Sequence, residues 1–149
     1  MGLDFETQTT QTSNGTTITV QSNQTVAADG SIVDQGPTEF PANQLRATFD
    51  SQTGNLNIDW LGASPQQSGL GTEMVSRAIE QLGPENVTSI SGDLDASNEG
   101  IYDYYYNDLG YSSQEALQMT PAAKIRATLG YSNIGFNSSG KVVGYRVPN

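Results

Sequence analysis

The sequence predicts a single mixed α/β domain, and three observations carry that expectation. The first sixty or so residues are period-two segments separated by Asn-Gly and Asp-Gly turns. The centre reads strand, glycine-rich turn, amphipathic helix, strand. The remainder holds capped helical segments and a closing hairpin. At 149 residues such a domain has the length to bury about two-thirds of its unfolded surface.

Taken in order, "FETQTTQT" and "TTITVQS" flank "SNG", a hairpin signal through Asn14-Gly15, and "TVAADGSIV" repeats it at Asp29-Gly30. "QGPTEFPAN" reads as a loop with two prolines. "QLRATF" and "NLNIDWLGA" bracket "DSQTG" as a third hairpin. In the second of these strands Leu56, Ile58 and Trp60 share one apolar face, with Trp60 expected in the core, while Asn57, Asp59 and Leu61 form a mixed face. Met74, Val75, Ala78, Ile79 and Leu82 then make a helical stripe. Thr72 and Glu73 suit its first turn and Gly83-Pro84 stops it. "NVTSISGDL" is a short strand. "ASNEGIYDYYYNDLGY" is a helix capped at Ser97 or Asn98 and ending at Gly110, with Ile101, Tyr102, Tyr105 and Leu109 on one face. Ser112 and Glu115 form a capping box. Thr120 caps a helix with Pro121 at its first position and Gly130 after its end, and "NIGF" and "KVVGYRV" close the chain.

Composition narrows the chemistry. Cysteine and histidine are both absent, which excludes disulfides, thiolate nucleophiles, Cys/His zinc sites and histidine-dependent triads. Proton transfer falls to carboxylates, Tyr, Lys, the backbone or water. Six basic residues against sixteen acidic ones give a net charge of −10, which argues against nucleic-acid binding. No run reaches the roughly 20 apolar residues of a membrane span, and "MGLDFETQTT" lacks the basic and apolar regions of a signal peptide. The expectation is a soluble protein without membrane association, cytoplasmic or delivered as part of a secreted protein.

The segment "SPQQSGLGTEMVSRAIEQLG" places Gln66, Gly69 and Gly71 between a strand and an amphipathic helix. Glycines there let backbone N–H groups turn toward an anion at the positive end of the helix without any Lys or Arg. A compact strand-to-helix turn is the other reading of the same residues.

With its flanks, this segment resembles the acyl-CoA-binding motif of the GNAT acetyltransferase superfamily: Gln or Arg, two residues, Gly, one residue, then Gly or Ala. "IDWLGASP", from Ile58 to Pro65, is similar to that family's central strand, with Ala63 where Val is usual. The resemblance spans residues 45–147, leaving 1–44 as variable N-terminal strands of one domain, 1–149. It implies a mixed, twisted sheet with helices on both faces, acetyl-CoA as co-substrate and a primary amine as acceptor, with no metal. Leu61, Ala63, Gln66, Gly69, Leu70, Gly71, Thr72 and Asn98 would contact CoA. Asp59 is the candidate base, acting through water, and Tyr105 or Tyr106 the acid that protonates the leaving thiolate.

The chain also departs from the pattern. Pro65 stands two residues nearer Gln66 than is usual. Aligned on "LGY" at 129–131, the family's acidic tyrosine position is Arg126; aligned on "LGY" at 109–111, it is Tyr106. "SSQEALQMTPAAKIRATLGYSN" is similar to GNAT-like modules of bacterial polymorphic or Rhs-type secreted proteins, which implies a toxin-associated setting and a bacterial or phage origin. Two other functions stay open: a non-catalytic binding module with a protein partner, and an acidic inhibitor of a basic protein. The residues also have plain structural readings: Asp59 solvated on a strand, Asn98 a helix cap, the tyrosines core packing, Lys124 and Arg126 a solvated face.

Overall fold

The computed structural model describes residues 3–13, 15–64 and 69–147. The chain is a mixed α/β protein, as its sequence predicts, and it divides into two compact units, Met1–Val87 and Thr88–Asn149.

In the first unit, β1 (Glu6–Thr12), β2 (Gly15–Ser22), β5 (Asn43–Asp50) and β6 (Asn55–Gly62) pair antiparallel in that order. A separate ribbon joins β3 (Gln24–Val26) to β4 (Ile32–Asp34). All three expected hairpins form. Asn14 of the first turn lies outside the described residues. In the second turn Gly30 takes φ 87, and Asp29 accepts hydrogen bonds from the Ser31 amide and hydroxyl at 2.9 and 2.6 Å, which hold its carboxyl below the ordinary range. β2 and β5 alternate as expected, burying Ile18, Val20, Leu45, Ala47 and Phe49. Helix α1 (Leu70–Leu82) packs on β2 and β5 through Met74, Val75 and Ala78, all fully buried. β1 differs: every one of its seven residues is exposed, and its outer edge has no strand beside it in this unit.

β6 breaks the simple alternation. Ile58 pairs with Ala47 and Trp60 with Arg46, so Asp59 is an extra residue in a β-bulge. Paired residues share a face of the sheet. Leu56, Ile58 and Leu61 therefore lie with buried Phe49, Ala47 and Leu45, and the bulge moves Trp60 to the other side, beside exposed Arg46. The expectation of a core Trp60 is corrected: it is 54% exposed, because one inserted residue resets the period-two count.

In the second unit β7 (Ser89–Gly92) and β8 (Asn133–Phe136) each pair antiparallel with β9 (Val142–Tyr145). Helices α2 (Ala96–Asp103), α3 (Ser113–Gln118) and α4 (Pro121–Thr128) complete it, and Leu117, Ala123, Ile134 and Val142 form a core cluster with Leu94 and Tyr102 against it. The Ser112–Glu115 capping box and the Thr120 cap are present. After α4, Tyr131 donates to Arg126 O and Gly130 to Ala127 O, with Gly130 at φ 94, a Schellman ending. Two helix details differ from expectation. α2 is capped by Asp95, which accepts from the Asn98 amide, not by Ser97 or Asn98. The run Tyr104–Asp108 then winds as a π-helical turn rather than continuing the α-helix, and Leu109 is 47% exposed instead of sharing an inner face.

Candidate functional site

The first unit holds most of the residues that the sequence singles out. Asp59 stands exposed on the bulge, its Oδ2 accepting from Thr48 Oγ1 at 2.7 Å and its Oδ1 from Asn57 Nδ2 at 2.8 Å. A carboxylate has lone pairs left after two such bonds, so water can still reach it. The bulge also interrupts the ladder between β5 and β6 beside Asp59. Leu61 and Ala63 follow on the same strand and its exit, both half-buried.

That exit is pinned by a residue with no signal in the sequence. Asn43, fully buried at the start of β5, accepts from the Ser64 amide at 2.8 Å and donates to Ser64 O and Gln24 O, each at 3.1 Å. Thr25 Oγ1 donates to Ser64 O as well, at 3.0 Å. Two partners, 21 and 39 residues away in the chain, hold the main chain one residue before Pro65. Gln66, with Pro65, Gln67 and Ser68, lies outside the described residues.

α1 begins at Leu70, which puts Thr72 and Glu73 in its first turn, as expected. Gly69 is its N-cap with φ 88, in the left-handed region, and glycine has no side chain to cap the first turn. Among the described residues, none would lie within 4 Å of a Cβ placed on Gly69. Leu70 and Gly71 are buried and Thr72 is half-buried. Among the described residues no side chain caps the first-turn amides of this helix, and uncapped amides at a helix start can accept an anion.

The remaining candidates lie in the second unit. Asn98 is buried, and both ends of its amide are engaged: Nδ2 donates to Asp95 Oδ1 at 2.7 Å, and Oδ1 accepts from the Ala122 amide at 2.8 Å, in the first turn of α4. One side chain thereby ties the starts of two helices together. Tyr105 is half-buried and Tyr106 is exposed. Tyr106 stacks on Tyr102 with centroids 5.4 Å apart, and Tyr105 meets Tyr104 at 5.2 Å and Tyr111 at 5.1 Å. The Tyr102 hydroxyl is 2.8 Å from Ser113 Oγ. The expectation that these rings are core packing holds for Tyr102 and is corrected for Tyr104 and Tyr106, which the π turn leaves outside.

Arg126 is a second correction. Lys124 is exposed as expected, but Arg126 is only 3% exposed. Its Nε donates to Ile90 O at 3.1 Å and its Nη1 to Ala122 O at 2.8 Å. Burial pushes its pKa down to about 10, still far above neutral, so the guanidinium stays charged among carbonyl oxygens. It braces β7 against α4. Gly144 is required beside it, since a Cβ there would lie 2.6 Å from Tyr131 O and 3.0 Å from Arg126 Cδ.

Among the described residues no cluster of three or more acidic groups is arranged to hold a metal ion, and no helix is long and apolar enough to cross a membrane. No protein-family profile and no curated protein matches the chain. Solved structures do show likeness. Tetrahymena Gcn5 is 11% identical with TM-score 0.41, over 89% of this chain and 70% of its own. A nourseothricin acetyltransferase is 12% identical with TM-score 0.41, over 96% and 82%. The NatC complex bound to Gag peptide and CoA is 13% identical with TM-score 0.39, over 88% and 71%. At these values the likeness assigns no residue.

Proposed function

We propose that the chain is an acyl-CoA-dependent N-acyltransferase that moves an acetyl group to a primary amine. The observation that carries this reading is the left-handed Gly69 opening α1, with no capping side chain among the described residues, downstream of a bulged strand that bears an exposed carboxylate. The motif around Gln66, Gly69 and Gly71 supports the same assignment.

In this reading the amides of Gly69, Leu70, Gly71 and Thr72, with Gln66, hold the pyrophosphate. Leu61 and Ala63 offer main-chain hydrogen-bonding groups to the pantetheine arm. Asp59 takes the ammonium proton through water, since the amine attacks a thioester carbonyl only once it is neutral. The C–N bond forms as the C–S bond breaks, and the thiolate receives a proton from Tyr105 or Tyr106. A phenol, with an ordinary pKa of about 10, is a reasonable donor to a thiolate. Binding and orientation supply much of the rate, because two reactants held side by side no longer lose translational freedom at the transition state.

The test is a thermal-shift and calorimetric titration with acetyl-CoA and CoA. A ligand at about a hundred times its Kd stabilises the native state by about 2.7 kcal/mol, a shift of several degrees for a protein of this size. No shift at millimolar CoA would overturn the proposal.

A further inference from the structure

The second unit displays an aromatic surface that extends beyond the tyrosines assigned to acyl transfer. Tyr104, Tyr106, Tyr111 and Phe136 are 50%, 44%, 39% and 41% exposed. They fall in two groups, each built on a half-buried ring: Tyr106 stacks on Tyr102, which meets Phe136 edge-on at 5.6 Å, and Tyr105 contacts both Tyr104 and Tyr111. Tyrosines left in water in mutual contact are a composition typical of interaction surfaces rather than of ordinary solvated helices. The π turn over Tyr104–Asp108 sustains the display, as a helical irregularity of the kind that recurs at functional positions.

The charge along the segment that carries the tyrosines has one sign. From Asp93 to Glu115 the chain has six carboxylates and no Lys or Arg, and all six are exposed. Asp103 and Asp108 stand at the two ends of the run that carries Tyr104, Tyr105 and Tyr106. Ring faces attract cations, and carboxylates on the same segment add a second, directional attraction for a guanidinium or ammonium group.

We propose that this surface docks a Lys/Arg-rich peptide segment of another protein, its cations seated over the tyrosine rings and bonded to Asp103 and Asp108. The charge complementarity selects this occupant over a second copy, because two such faces brought together would oppose carboxylate to carboxylate. The docking stands whether or not CoA binds.

The experiment measures fluorescence anisotropy of a labelled Lys/Arg decapeptide with the full chain at about 0.15 M salt, beside a Gly/Ser decapeptide. The double variant Tyr104→Ala, Tyr111→Ala leaves Tyr105 and Tyr106 in place and truncates exposed rings; urea unfolding checks that it folds. It is expected to weaken the Lys/Arg peptide about tenfold or more. Asp103→Asn with Asp108→Asn is expected to weaken binding and flatten its salt dependence. Neutralising a groove of the first unit, by Asp4→Asn, Glu6→Gln and Asp34→Asn, is expected to leave affinity within about twofold, as its removal of three charges samples general attraction alone. Unchanged affinity in the tyrosine variant would overturn the proposal. So would an equal loss in the first-unit variant, equal binding of the Gly/Ser peptide, or a dimer in sedimentation that the tyrosine substitutions dissolve.

Discussion

Asp59 owes its position to one inserted residue. Without the bulge it would sit opposite a β5 residue in an ordinary pair; with it, the carboxylate stands free of the ladder, steadied by Thr48 and Asn57. Asp59→Asn is a sharp test of its role. The Asn oxygen can still accept from Asn57, and the Thr48 hydroxyl can turn to accept from the new amide, so urea stability is expected to fall by less than about 1 kcal/mol. The kcat for acyl transfer is expected to drop about 100-fold or more, with CoA affinity retained, since a general base acts on the proton and not on the nucleotide. Equal losses in stability and kcat would instead assign Asp59 a structural part. Arg126 teaches a different point at this scale. It is two residues from exposed Lys124 and reads identically in the sequence, yet its guanidinium is buried where two carbonyl groups converge. No local pattern distinguishes these two cations, because the carbonyl of Ile90 arrives from another element.

At the scale of elements, Asn98 joins the start of α2 to the start of α4. Asn98→Ala keeps the backbone amide that Asp95 caps but removes the acceptor for Ala122 N–H. Loss of about 1–3 kcal/mol is expected in urea unfolding, the range for leaving a shielded donor unsatisfied. The elements themselves were legible wherever turn and cap chemistry is local. Asn-Gly, Asp-Gly, the Ser112–Glu115 box and the Thr120-Pro121 start each act within four residues, and each element they mark is present. What was not legible involved a change of period or a distant partner. The bulge in β6 and the π turn over three successive tyrosines both add a residue to a regular repeat, so a strict period-two or 3.6 count places Trp60 inside and Leu109 on an inner face. The Asn43 clamp on Ser64 bridges 21 residues and leaves no mark in either segment. Of the candidate site, the glycine-opened helix was legible because φ above zero favours one residue type, whereas the caps around Asn98 were not.

For the whole molecule the dominant physical fact is charge. With sixteen carboxylates against six cations, self-repulsion opposes the folded state at low ionic strength. Thermal unfolding is therefore expected to move upward by a few degrees between about 10 mM and 150 mM salt, as the screening length contracts from about 30 to 8 Å. A flat or falling Tm would mean that favourable pairs offset the repulsion.

That same screening reaches β1. Its seven residues expose a strand edge whose only charge is Glu6, followed by Thr and Gln alone, without the lysine, proline or bulge that usually blunts such an edge. What separates one copy from the next is then the long-range field of the molecule and not any feature of the strand. Salt that steadies the fold also removes this barrier, so the protein's shelf life in concentrated, high-salt solution will be governed by colloidal rather than conformational stability.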